Sequence, residues 1–284
     1  MLVRWSIKPR DWVWLGLVPF LIFELAFQII PLLSLVKSAF ISGDGLSLAN
    51  FERVFQPVML MAFGNSIGLS LTTALGGTIA GAFVAHIIVT SRNEKVKHGL
   101  TALADVTANF GGAPLAFAFV ITLGSTGVVT LLLKKVGIDL YPDFRIYSLG
   151  GLGIAYLYFQ IPLAILLLIP SFQGLRKEWA EAAASLGAGT LRYWLWVALP
   201  VLKPALVSCF FLLFANAFGA YATAWTLTGS SVNLVTVQIA ALIRGEVQLE
   251  PAFADAIAVM SLVIMAICVT AHQLLVRSVR RFAR

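Results

Sequence analysis

Five stretches of this 284-residue chain run without a single Asp, Glu, Lys or Arg: 54–91, 106–133, 146–175, 204–243 and 256–276. A sixth, 12–36, holds only Glu24. Roughly 20 apolar residues span the hydrocarbon of a bilayer as a helix, and a helix satisfies its own backbone there. The chain is therefore all-α and membrane-spanning, with six helices near 12–37, 61–90, 102–124, 148–170, 201–227 and 256–276. A soluble core is a poor alternative, because only 12% of the residues are charged against about 25% in soluble domains.

Cations set the orientation, since Lys and Arg stay on the cytoplasmic side of short loops. With the N-terminus inside, inner segments carry fourteen of the twenty Lys and Arg: Arg4, Lys8, Arg10, Arg92, Lys95, Lys97, Arg176, Lys177, Arg192, Lys203, Arg277, Arg280, Arg281 and Arg284. The outer segments keep six, beside seven acids. Both termini are expected in the cytoplasm. The net charge of +7 then reflects topology and attraction to anionic lipid, and no basic and aromatic stripe points to nucleic acid. The run after Arg10 lacks a small-residue cleavage site and continues past Glu24 to Pro31, so it reads as a first span rather than a removed leader. The Trp5, Trp12, Trp14, Trp179, Trp194 and Trp196 set falls at inner boundaries, as an interfacial belt does.

Between the fourth and fifth spans lies a segment of different character. Leu175, Trp179, Ala182 or Ala183, and Leu186 share one helical face, with Arg176, Lys177, Glu178 and Glu181 elsewhere. Gly187 stands where a left-handed cap ends such a helix. A second helix is expected from about Thr190, its Leu191, Trp194, Leu195 and Ala198 on the membrane surface, before Pro200 opens the next span. Periodicity alone leaves two readings open: a helix lying on the inner leaflet with Lys177 and Glu181 paired at i,i+4, or an elbow that docks on a partner.

The spacing within this segment is specific. Glu181-Ala-Ala, three residues, Gly187, nine residues, Val197, one residue, Leu199-Pro200 resembles the EAA signature of binding-protein-dependent ABC importer permeases, with Val197 in place of the pattern's isoleucine. The likeness extends from Asn65 through Gly76-Gly77-Thr78, Asn109-Phe110-Gly111-Gly112-Ala113-Pro114 and Ala217-Phe218-Gly219-Ala220-Tyr221 to Leu227-Thr228-Gly229. It implies a type I (MetI-like) permease domain over about 62–275, preceded by a segment 1–61 with the first span and followed by a basic tail, 276–284.

The resemblance also implies a division of labour. Glu181, Ala182, Ala183, Leu186, Gly187 and Ala188 would form a cytoplasmic coupling helix gripped by a separate ATPase. Partners would be two ATP-binding subunits, a second permease chain, an extracytoplasmic solute-binding protein and membrane lipid. The setting would be a bacterial inner membrane, and ATP and magnesium would belong to the partner subunits. That agrees with the chain's lack of a GxxxxGK[ST] phosphate loop. It also lacks HExxH and any His/Cys cluster at metal spacing, so no metal or catalytic site is expected. The outer motifs lean toward the subgroup handling polyamines, aminoethylphosphonate, iron or thiamine.

Polar residues at membrane depth are candidates for the translocation path. They are Glu24 on the first span, Asp105 with Asn109 one turn later on the third, and Asn216 and Tyr221 on the fifth. Interhelical hydrogen bonds explain Asn216, Tyr221, Thr223 and Thr226 as well as substrate contact does. Gly64-x3-Gly68 and Gly77-x3-Gly81 read as close helix packing, and Pro114 and Pro162 as kinks within spans. Cys209 and Cys268 read as small buried apolar side chains. The competing classes are an ion-coupled secondary transporter, which commonly has broken helices in inverted repeats, and a membrane enzyme. Neither broken helices nor a converging catalytic set is evident in the sequence.

Overall fold

The computed structural model describes residues 16–42, 45–141, 143–246 and 248–282. It is helical apart from a two-residue antiparallel pair, β1 (Ile41–Ser42) and β2 (Gly45–Leu46), in register Ile41 to Leu46. Helix α1 runs Val18–Ala39, α2 Ala49–Val54, α3 Pro57–Thr90, α4 Glu94–Ala108, α5 Gly112–Leu123 and α6 Val128–Lys135. Then come α7 (Leu149–Gln173), α8 (Lys177–Ser185), α9 (Thr190–Phe218), α10 (Ala222–Thr228), α11 (Val235–Arg244) and α12 (Pro251–Phe282). Among the described residues six helical segments are long and apolar enough to cross a bilayer: α1, α3, the α5–α6 stretch, α7, α9 and the Pro251–Thr270 part of α12. The short helices α2 and α11 lie between spans.

Helices α3 and α7 form the spine. Gly77 and Gly81 let them touch: a Cβ on Gly81 would sit 2.4 Å from Ala164 Cβ, and one on Gly77 would press on Gln160 and Leu213 of α9 at 3.2 Å. Gly64 and Gly68 do not share this role. Nothing lies within 4 Å of a Cβ at either, because they sit on the far edge of α3, away from α7. Gln160 is fully buried at this contact and donates to Thr73 Oγ1 at 3.2 Å. Cys209 is buried and Cys268 half-buried, and both are free thiols.

Two prolines are accommodated by widened turns. Leu25–Ile29 and Trp194–Ala198 are single π-helical turns, closed by Ile30 N–H to Leu25 O and Leu199 N–H to Trp194 O, and each is followed by a proline, Pro31 or Pro200. A proline ring clashes with the carbonyl four residues back. A π turn displaces that carbonyl, Phe27 or Trp196, and the helix continues. Pro200 therefore does not open the fifth span. It lies inside α9, which runs unbroken from Thr190 to Phe218.

Two of the expected spans are interrupted. The expected 102–124 helix stops at Ala108 and restarts at Gly112, and the expected 201–227 helix stops at Phe218 and restarts at Ala222. The cause of the first break is in the residues. A helix continued through Pro114 would drive its ring into the Phe110 carbonyl, whereas Gly112 adopts φ +69° and turns the chain. Pro114 thus sits in the first turn of α5, where a missing N–H is harmless, and is not a mid-helix kink. Pro162 does lie within α7, as does Pro170. The apolar 106–133 run crosses chiefly as α5 and α6, while α4, which opens with Glu94, Lys95 and Lys97, is amphipathic.

Candidate translocation and coupling sites

The two breaks meet. Thr223 Oγ1, in the first turn of α10, donates to Gly112 O at 3.3 Å, and a Cβ on Gly112 would be 3.8 Å from Ala222 Cβ. The carbonyl of Ala220, freed where α9 stops, accepts from the hydroxyl of Tyr156 on α7 at 2.7 Å. On the other strand of the crossing, Asn109 N–H and Asn109 Nδ2 both donate to Asp105 O, at 3.3 and 2.8 Å. Interrupted helices survive at membrane depth only when such partners take over the freed backbone groups, and here side chains of three elements supply them. No broken helix is evident in the sequence. The structure shows two, because their stop signals are glycines and a proline inside runs with uninterrupted hydropathy.

Between the breaks lies a cavity of about 510 Å³, lined by Ala108, Asn109, Gly112, Phe159, Asn216 and Tyr221 among others. Three of the five path candidates, Asn109 and Tyr221 from the two breaks and Asn216 from α9, are thereby gathered into one space. The other two are not. Asp105 is exposed on α4 and absent from the cavity wall. It stands one turn before the C-terminal end of α4, an end where a helix dipole disfavours a carboxylate. Glu24 is half-buried in α1, six residues beyond Val18, about 9 Å of helical rise, and lines none of the cavities described here.

Tyr156, Thr223 and Phe159 are the members that sequence reasoning left out or left ambiguous. Tyr156 and Phe159 are buried aromatics whose role depends on which backbone group lies opposite, and nothing local signals that. Around the rim, the Tyr221 and Trp225 rings stack at 6.1 Å, and the Arg244 guanidinium lies over both at 5.4 and 5.7 Å. The Tyr221 hydroxyl oxygen itself is buried without a hydrogen-bond partner among the described residues.

The second region is the elbow. Helix α8 ends at Ser185, and Gly187 takes φ +77°. Ala188 N–H donates to Ala183 O and Gly187 N–H to Ala184 O, both at 2.9 Å, the paired bonds of a Schellman cap. The glycine expected to end this helix does so. Nothing in α8 is buried, Leu186 is 87% exposed and Trp196 79%. Ala182, Ala183, Leu186 and Ala188 line an apolar cavity of about 760 Å³ with Trp179, Tyr193, Trp196 and Val197. Glu181 is exposed, and no ion pair to Lys177 forms among the described residues. The expected second helix does start at Thr190, but it merges into the next span rather than lying on the membrane surface.

One further pattern calls for comment. Gly64, Ser66 and Gly68 stand at the GxSxG spacing of hydrolase nucleophiles. They lie in the middle of α3, with Ser66 Oγ accepting from Val235 N–H at 3.0 Å. A nucleophile elbow needs a strained strand-to-helix turn, which a continuous helix does not provide. Among the described residues no group of three His, Cys, Asp or Glu has metal-site geometry.

Residues 77–281 match the family described as binding-protein-dependent transport system inner membrane component. A probable sulfate transport system permease protein cysT of Prototheca wickerhamii is 30% identical over 170 residues, 60% of this chain and 64% of that protein, just under two thirds of its length. The spermidine/putrescine transport system permease protein PotB of Haemophilus influenzae is 24% identical over 216 residues, covering 74% of this chain and 75% of its own. Among solved structures, a chain of a bacterial ABC transporter involved in the import of the acidic polysaccharide alginate superposes with a TM-score of 0.75 over 99% of both chains at 17% identity. At that identity the likeness establishes the fold, an all-α ABC importer permease fold with six spans.

Proposed function

This chain belongs to the binding-protein-dependent transport system inner membrane component family, and we propose that it is the permease subunit of an ATP-binding-cassette importer. In this reading it forms a translocation path with a second permease chain. A binding protein delivers solute on one face, and two ATPase subunits act on the other. Both chain termini lie in the cytoplasm.

The observation that carries the reading is the exposed elbow. A nine-residue helix with no buried residue, an apolar cavity at its flank and a capped glycine turn has too little packing of its own to be held by this chain alone. Docking into a partner explains why Leu186 and Trp196 remain uncovered. Because α8 joins α7 to the unbroken α9, force applied to the elbow reaches α9 and the break at Gly219 directly. Movement of that pair of half-helices opens or closes the cavity, which is alternating access by shifting between two packed arrangements.

Two observations bear on the solute. The cavity wall offers amide, hydroxyl and aromatic groups and no carboxylate, and the Arg244 guanidinium lies over the ring of its lining residue Tyr221. This supports a small anion or neutral polar solute, since Asp105 and Glu24, the acids that would favour a cation, lie outside the cavity. The sulfate-permease relative agrees with that sign of charge, and the spermidine/putrescine relative keeps the polyamine as a second reading.

Single cysteines placed along 178–188 in the full chain test the docking. Crosslinkers applied in intact cells are expected to capture an ATPase subunit from positions 182, 183 and 186. Failure at every position, or labelling of the stretch by a membrane-impermeant reagent added outside, overturns the reading.

A further inference from the structure

The other flank of the elbow is charged. A cavity of about 770 Å³ lies between the end of α3, the turn after it, α4, the end of α7 and α8. Its wall carries Arg92, Lys97, Arg176 and Lys177, together with His86 and Thr90, and no carboxylate. Glu94 is close enough to pair with Lys97 at 2.7 Å, and that pair is the sole ion pair the four cations make among the described residues. The Arg176 guanidinium rests 6.0 Å from the Trp179 ring.

The position of this cavity is as telling as its charge. Spans α3 and α7 end beside it, at Thr90 and Gln173. Its wall passes from apolar Val89, Phe172 and Leu175 to cations within about one helical turn. His86 is packed edge-on against Trp194 at 4.8 Å and near Phe172 at 5.7 Å, which makes a firm floor. The N-terminal end of α8, at Arg176 and Lys177 of this wall, adds partial positive charge. An apolar wall leading up to a ring of cations at a span end matches an acyl chain leading up to an anionic headgroup, and basic pockets between spans bind such headgroups.

We infer that this cavity is a binding site for a phosphoryl anion, supplied by the headgroup of an anionic phospholipid, that bridges the α3–α4 turn to the elbow helix α8. The inference rests on the permease reading only for its consequence. A bound headgroup holds α8 against the bundle through Arg92 on one side and Arg176 and Lys177 on the other, so the stiffness of the proposed coupling lever depends on lipid composition. The binding itself involves this chain alone.

The test uses the purified full chain and native mass spectrometry with phosphatidylglycerol or phosphatidylcholine added, and equilibrium dialysis against inorganic phosphate. Phosphatidylglycerol is expected to be retained over phosphatidylcholine. The triple variant Arg92→Gln, Arg176→Gln, Lys177→Gln is expected to weaken that retention by on the order of a hundredfold, from about 1 kcal/mol for each of the three cations. A control that removes the same charge elsewhere, Lys134→Gln, Lys135→Gln and Arg145→Gln, is expected to change it less than about twofold. The pair Arg92→Lys, Arg176→Lys should restore most of the binding and shows that the loss is not one of folding. Saturable phosphate binding, lost in the triple variant while lipid retention is not, assigns the site to a soluble anion and overturns the lipid source. Equal lipid retention by the triple variant and the control, with no phosphate binding, overturns the site. Because no ATPase is present, this outcome is separate from the crosslinking result on the elbow.

Discussion

The elbow at Gly187 and the crossing at Gly112 both turn the chain with a glycine at positive φ, yet their surroundings are opposite. Around Gly187 there is open space, and no residue of α8 is buried. Around Gly112 the chain is gripped: Thr223 bonds its carbonyl, Ala222 lies against it, and Tyr156 holds the facing break. An element that moves a partner leaves its apolar surface uncovered. An element that keeps its shape in hydrocarbon must satisfy its backbone from within the chain. The same local device thus serves a lever in one place and a joint in the other.

The contrast is broken most directly by the same substitution at both glycines. Gly187→Val forces a β-branched residue into the left-handed region, a cost of at least about 1–2 kcal/mol. Nothing packs within 4 Å of this position, so the elbow relieves the strain by rearranging locally: uptake is expected to fall more than tenfold, while the amount of chain in the membrane and its thermal midpoint in detergent stay near wild type. Wild-type uptake would count heavily against the elbow as coupling element. Gly112→Val should instead lower membrane abundance and the thermal midpoint as well as uptake, since the cap and its neighbours cannot give way. If both variants behave alike, the distinction between lever and joint fails.

Smaller changes sharpen it. Tyr156→Phe removes the hydroxyl that holds the Ala220 carbonyl and is expected to cost about 1–2 kcal/mol, read as a lower thermal midpoint. The same loss with uptake rising or falling would show whether the crossing moves during transport. Asn216→Ala should alter the concentration dependence of uptake without changing that midpoint, whereas Asp105→Asn should leave both unchanged, because its carboxylate lies outside the cavity. An effect of Asp105→Asn confined to cationic solutes would return the polyamine reading to first place.

The smallest effect concerns the turn beside the elbow. The Lys97 ammonium, hydrogen-bonded to Glu94, holds that exposed carboxyl below its usual titration range. A lowered value means that the contact is fully present above the ordinary carboxylate range and is lost as pH falls through the lowered one. Lys97→Ala should return the Glu94 titration, followed by carbon-detected NMR, toward its ordinary position.

The interrupted spans show where pattern reading stopped. Hydropathy carries no mark at Asn109 or Gly219, since the runs through them stay free of charge, and Pro114 looks the same in a kinked helix as in the first turn of a new one. Reading Pro114 against the residue four before it, Phe110, would have located the first break. Gly219 and Ala220 offer no such cue, because the carbonyl they free is held by Tyr156 from another helix, 64 residues away. Likewise Gly64 and Gly68 have the same spacing as Gly77 and Gly81, and only the position of α7 separates packed from open.

Charge-free runs of bilayer length settled by themselves that the chain crosses the membrane six times, and the interval from Glu181 to Pro200 with its glycine placed and capped the elbow. Both are local properties: hydrophobic length and the conformational freedom of one residue act where they stand. Which polar groups face one another was decided only by tertiary structure. A cavity is made by surfaces from distant parts of the chain, so Asn109 joined Asn216 and Tyr221 while Asp105, one turn earlier on the same helix, was left outside.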